Sequence, residues 1–190
     1  MKISAYPKML LSYDAGWQEF QQAAPSIIKV YLLLVVPLSL LPALMIAFVA
    51  SDNAAYYSAT LPASHYGEIA GLFLVTELLS VPVMAMTIRS VVTLKVRQVN
   101  FRQCFLLAAL APIPMWLSSL SLLVPHVGFS LACGFMGLLA SGALLVHGIP
   151  ALLGVERGID AEDVTYVVLS LGAIMWALMT ALIIVPLLGS

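Results

Sequence analysis

Phe101 to Gly154, FRQCFLLAALAPIPMWLSSLSLLVPHVGFSLACGFMGLLASGALLVHGIPALLG, decides the fold of this chain. It reads as two membrane-spanning helices folded back on each other through a short turn, Val124-Pro125-His126-Val127-Gly128. A helix apolar on every face does not fold in water, and about 20 apolar residues at about 1.5 Å each cross a bilayer. Working outward, two further apolar stretches precede this hairpin and one follows it.

Composition agrees. The 190 residues are 62% hydrophobic and 9% charged, whereas a soluble domain carries roughly 25% charged residues. A net charge of −1 gives no field for nucleic acid. Cys104 and Cys133 fall on different predicted helices near opposite membrane faces, which excludes a disulfide, and neither has a metal partner at ligand spacing. No cofactor or metal is expected. The first apolar run begins near Ile27 behind a polar stretch, so no signal peptide is expected, and no lipidation motif is present.

The fold class expected is all-α: a polytopic membrane protein of five helices with a short amphipathic amino-terminal helix. Residues 1–24 form a cytoplasmic or interfacial segment in which Leu10, Tyr13, Trp17, Phe20 and Ala24 share one stripe, with Trp17 as an anchor in the headgroup layer. Residues 25–190 form a single transmembrane domain with spans at about 25–50, 68–94, 104–124, 128–153 and 164–188. Pro37 and Pro42 interrupt the first span, Pro82 the second, and Pro112 with Pro114 the third. In lipid, the carbonyls that prolines free need cover from neighbouring helices.

Two loops frame the orientation. Ser51 to Gly67 is a polar loop containing Asp52, Tyr56, Tyr57, His65 and Tyr66, without Lys or Arg. Gly154 to Asp163 is a short charged loop. With the amino terminus in the cytoplasm, all eight basic residues (Lys2, Lys8, Lys29, Arg89, Lys95, Arg97, Arg102 and Arg157) fall on the cytoplasmic side. The positive-inside rule therefore places the amino terminus inside and the carboxyl terminus outside. Arg89, Lys95, Arg97 and Arg102 are topology determinants first, and lipid-headgroup contacts second.

Small residues recur every fourth position on the fourth span (Cys133, Gly137, Ser141) and on the fifth (Ala173, Ala177, Ala181). Such stripes let helices approach closely in lipid, so these two spans are expected to touch. Self-association through such faces is the other reading. No internal repeat points to a secondary transporter.

Glu77 is the most informative residue. It lies about nine residues, or roughly 13 Å, inside the outer end of its span, where an ionised carboxylate costs several kcal/mol. It is expected to be protonated, hydrogen-bonded or in contact with water. Thr76 adjoins it, Ser80 lies one turn on, and Ser118, Ser141 and Thr180 match its depth. Two readings stay open: a proton- or ligand-binding carboxylate in a cavity, or an acid that pins helices together. His147 lies nearer the cytoplasmic end, with Tyr166 or Ser170 as candidate partners, and reads as structural before it reads as a relay. His65 and His126, in outer loops, are poor metal ligands. There is no phosphate loop, no Gly-x-Ser-x-Gly elbow and no His-Glu-x-x-His pair. Ser118, Ser119 and Ser121 cluster without a base at matching depth.

Several short motifs together resemble a known family. Phe101-Arg102-Gln103 leads into Ala111-Pro112-Ile113-Pro114-Met115-Trp116-Leu117. Val124-Pro125 with Gly128 follows, then Val146-His147-Gly148-Ile149-Pro150-Ala151-Leu152-Leu153-Gly154-Val155. With Asp14 to Trp17 and Val36-Pro37-Leu38-Ser39, these are similar to the Yip family of five-pass membrane proteins (Ypt/Rab-interacting proteins). The resemblance implies five helices with a cytoplasmic amino terminus. Eukaryotic members carry a longer cytosolic amino-terminal region linked to Rab GTPases and vesicle traffic. This chain resembles bacterial members instead, which implies the bacterial inner (cytoplasmic) membrane.

The function expected is a non-enzymatic membrane protein that organises protein or lipid partners. The alternative is a small transporter or lipid-handling protein using Glu77. An intramembrane enzyme would need a second titratable group beside a nucleophile.

Overall fold

The computed structural model describes Trp17 and residues 25–49, 63–95, 99–156 and 158–188, with the side chains of 63, 64 and 183–188 outside that description. The expected amphipathic helix over residues 1–24 (Trp17 apart), the outer loop with Asp52, Tyr56 and Tyr57, and Arg97 and Arg157 lie outside the described residues. Every regular element described is helical, and five helical runs are long and apolar enough to span a membrane. They are Ile27–Phe48, His65–Val92, Phe101–Leu123, Val127–Leu153 and Ile159–Leu182, the first to fifth spans.

Local chemistry sets the ends. Asn100 caps the third span by accepting from the Arg102 amide at 3.0 Å, and the His126 imidazole caps the fourth by accepting from the Phe129 amide at 3.0 Å. Gly154 closes the fourth span in the left-handed conformation at φ 67°, which glycine adopts without a Cβ clash. Two boundaries differ from the sequence expectation. The second helix begins at Ala63, which takes His65 and Tyr66 out of the loop. The fifth begins at Ile159, so Asp160 and Glu162, expected in a loop, occupy its first turn. Carboxylates there lie next to the unpaired amides at the helix start, where they are favoured.

Prolines shape the interior. The third span breaks between Leu110 and Ile113, at Pro112, and finishes as a tight 3₁₀ turn over Ser119–Leu123. In the first span, a wider π turn over Tyr31–Val35 precedes Pro37. Pro82 has no N–H to give the Leu78 carbonyl four residues earlier. The Tyr31 hydroxyl of the first span donates to that carbonyl instead, at 3.1 Å.

The second, third, fourth and fifth spans form a ring in which each touches the next and the fifth returns to the second. The first span packs outside it, against the second and third. The main core lies at one end of the bundle and draws on all five spans, through residues such as Val35, Ile88, Phe105, Leu144 and Val164. Cys104 to Leu110 is buried at every position, so this half of the third span is the axis of the fold. A smaller cluster (Ala43, Ile46, Tyr66, Phe73 and Met179) holds the other end.

Trp17 joins the main core at 1% exposure and is not presented to headgroups. Its indole lies against Gly148 of the fourth span. A Cβ placed on Gly148 would fall 2.7 Å from Trp17 Cη2 and 2.5 Å from Leu107 Cδ1. The missing side chain makes the slot that takes the ring.

The fourth and fifth spans touch as expected, although not through the two stripes. Gly142 meets Leu169, and on the fourth-span stripe Gly137 faces the third span, against the Pro114 carbonyl and Ser118. Ala173 and Ala177 of the fifth-span stripe are exposed, while Gly172 approaches Met84 of the second span.

Candidate functional site

The ring of four spans does not close tightly around its middle. A cavity of about 510 Å³ lies between them, lined by side chains from all four. Glu77 and Ser80 come from the second span, Pro112 and Trp116 from the third, Ser141 and Gly142 from the fourth, and Gly172 and Trp176 from the fifth. The third span's helix is interrupted at Pro112 at this height, and Gly142 and Gly172 on the fourth and fifth spans line the same space without side chains to fill it.

Glu77 is 8% exposed. Its partner is a residue that depth-matching among serines and threonines overlooked: the Trp116 indole N–H donates to its carboxyl group. The signal was available, since Glu77 lies nine residues from Glu68 and Trp116 eight from Val124, at the same end of adjacent spans. Glu77 Oε2 has no hydrogen-bond partner within the protein, and neither does Ser141 Oγ. Both residues line the one cavity.

The other expected partners are engaged on their own helices. Ser80 donates to the Glu77 backbone carbonyl at 2.7 Å, and Thr76 to Leu72 at 2.8 Å. Ser118 donates to Met115 at 2.7 Å, and Thr180 to Trp176 at 2.9 Å. Hydroxyls in apolar helices satisfy themselves in this way, on the carbonyl three or four residues back. Ser80 and Ser141 therefore reach the cavity with Glu77; Ser118 and Thr180 do not line it.

His147 Nδ1 lies 2.7 Å from the Ala143 carbonyl on its own helix, and Ser170 donates to Tyr166. Cys104 and Cys133 are free thiols. Among the described residues no group of His, Cys, Asp and Glu could hold a metal ion.

The described basic residues lie at the end of the bundle that holds the main core. Arg102 Nε donates to the Pro25 carbonyl at 2.9 Å, tying the start of the first span to the third. Lys95 bonds Asp160 at 2.7 Å and Asp163 at 3.2 Å, tying the second–third connection to the start of the fifth span. The Asp160 carboxylate, then Asp163, pushes the Lys95 amine above its usual value. The Arg89 guanidinium stands 6.0 Å from the centre of the Phe101 ring. Of the four expected headgroup contacts, Lys95 and Arg102 thus bond to protein partners, Arg89 stands over the Phe101 ring, and Arg97 lies outside the described residues.

Chemically, the site is an apolar chamber with one carboxyl group, two indoles (Trp116 and Trp176) and two hydroxyls. No curated protein and no solved structure is similar enough to this sequence to match it. A family profile for the Yip1 domain matches residues 8–182, nearly the whole chain. The chain is an integral membrane protein of the Yip1-domain family.

Proposed function

We propose that this chain is a non-enzymatic protein of the bacterial inner membrane, amino terminus in the cytoplasm, that organises lipid or protein partners within the bilayer. The observation that carries the reading is the cavity. It is framed by membrane-spanning helices, and its lining contains one titratable side chain, Glu77. General acid–base chemistry needs a second group within reach of a nucleophile. Apolar chambers with a few fixed polar atoms suit binding. The one-sided placement of the eight basic residues supports the orientation.

The test is extraction of the chain from native membrane in a lipid-retaining polymer, after cross-linking, with lipids and proteins both identified by mass spectrometry. The expected result is a lipid or a membrane protein enriched several-fold over an unrelated five-span control. A lipid complement equal to bulk membrane, with no enriched protein, overturns the reading.

A second reading, a small transporter using Glu77, is favoured by one observation: Glu77 is among the residues that line the cavity. It requires flux across proteoliposomes that Glu77→Gln abolishes.

A further inference from the structure

Two buried oxygens without a protein partner, on helices facing each other across one chamber, call for an occupant that carries a polar group. Glu77 Oε2 and Ser141 Oγ each have under 1 Å² of exposed surface, and their residues are 8% and 9% exposed. An unmet buried polar atom is costly, and far from water the remedy must come from within the membrane. Glu77 is held on its other side by the Trp116 indole, so its free oxygen has a fixed neighbourhood. Meeting a guest requires either side chain to turn toward the space that both residues line.

The remaining walls select for hydrocarbon. Four methionines, Met84, Met115, Met175 and Met179, come from the second, third and fifth spans. Their unbranched, polarisable side chains repack around apolar guests of varied shape. A volume of about 510 Å³ lies within the range of about 300–1,000 Å³ usual for small-molecule sites. The way in is lateral. Leu139 of the fourth span is 53% exposed and Trp176 of the fifth 40% exposed, and both line the cavity. The gap between these spans therefore opens toward the bilayer.

We propose that the cavity binds a neutral amphiphile, a single hydrocarbon chain bearing a hydroxyl group, which passes from the bilayer between the fourth and fifth spans and sets its hydroxyl between Glu77 and Ser141. A hydroxyl group both donates and accepts, so it serves Ser141 in either sense and Glu77 in either protonation state. A phosphate-bearing head would bring charge and bulk into an apolar chamber with no cation among its lining residues. This inference rests on the reading of the chain as a lipid-organising protein and names the ligand class.

The experiment uses the full chain in lipid nanodiscs and two photoactivatable probes: a diazirine-bearing hexadecanol and its methyl ether, which cannot donate. Cross-linked residues are mapped by mass spectrometry. The expected result is saturable labelling at Met175, Trp176 or Met179, with the alcohol at least about fivefold stronger than the ether, the scale of one buried hydrogen bond. Glu77→Leu and Ser141→Ala should each weaken the preference for the alcohol, and the double variant should remove it, while labelling by the ether persists, which also shows that the cavity is intact. Glu77→Gln, which keeps a donor and an acceptor, should retain the preference. Equal labelling by both probes overturns the proposal, leaving a chamber filled by any lipid tail or by water at its polar atoms. Labelling confined to outward residues such as Leu131 or Phe135 overturns it as well. Neither outcome touches the organiser reading, which native-lipid enrichment measures on the same preparation without a probe.

Discussion

The Tyr31 hydroxyl donates to the Leu78 carbonyl, 47 residues along the chain, at the carbonyl that Pro82 deprives of its helical donor. One span thus repairs the backbone of another. Tyr31→Phe should destabilise the protein by about 0.6 kcal/mol, and by no more than about 1.7, the average and the maximum for hydrogen bonds between membrane helices. Pro82→Ala restores the amide to Leu78, so in that background Tyr31→Phe should cost much less. Unfolding in mixed micelles, run as a double-mutant cycle, reads the coupling directly. Additive effects would mean that the tyrosine acts only by packing.

Gly148 is predicted to be intolerant of a side chain. Gly148→Ala drives a methyl group into Trp17 and Leu107, and overpacking of this kind costs about 1–3 kcal/mol. Trp17→Phe in the same chain should recover part of the loss by vacating the slot. A thermal melt of Gly148→Ala that matches the parent protein would remove Trp17 from the core.

Lys95 should give a small effect that depends on salt and pH. Its partners Asp160 and Asp163 raise its pKa above the ordinary 10.5. For a group whose folded value is raised, the stabilisation is fully present below the ordinary value and fades as pH climbs through the raised one. The pair is exposed and screened, so Lys95→Gln should lower the melting temperature slightly at pH 8 in low salt. The difference should vanish in 1 M salt, and should fade as pH climbs through the raised Lys95 value. A difference that persists in high salt would point to packing by the lysine stem.

Reporter fusions after Asn100 and Gly158 should read cytoplasmic, and a fusion after His126 periplasmic. The Lys95 bonds to Asp160 and Asp163 place the first two sites at one end of the bundle. A fusion after Ser190 should read periplasmic, as an odd number of passes requires. A cytoplasmic signal there would undo the orientation.

The five spans are legible in the sequence because hydropathy over some twenty residues is a strong, local signal. The ends are less so. Asp160 and Glu162 look like loop residues until the unpaired amides of a helix start are counted. Trp17, ahead of a first span, reads as an interface anchor; only the slot at Gly148, distant in sequence, shows that it is buried. Glu77 announces itself as a buried acid, yet its partner does not, because an indole is read first as bulk and only then as a donor. The small-residue stripes indicated close packing but not the neighbour, since a stripe fixes a face and leaves open which helix it meets. The cavity has no sequence signature: it arises where a proline break and two glycines reach the same height.

The uneven distribution of the core has a consequence for traffic through the molecule. With the heavier cluster and the side-chain ties of Arg102 and Lys95 gathered at one end, the chamber resembles a pouch sewn shut at its base. Its slack side faces the surrounding lipid. The proposed amphiphile would come and go by that side without disturbing the seam.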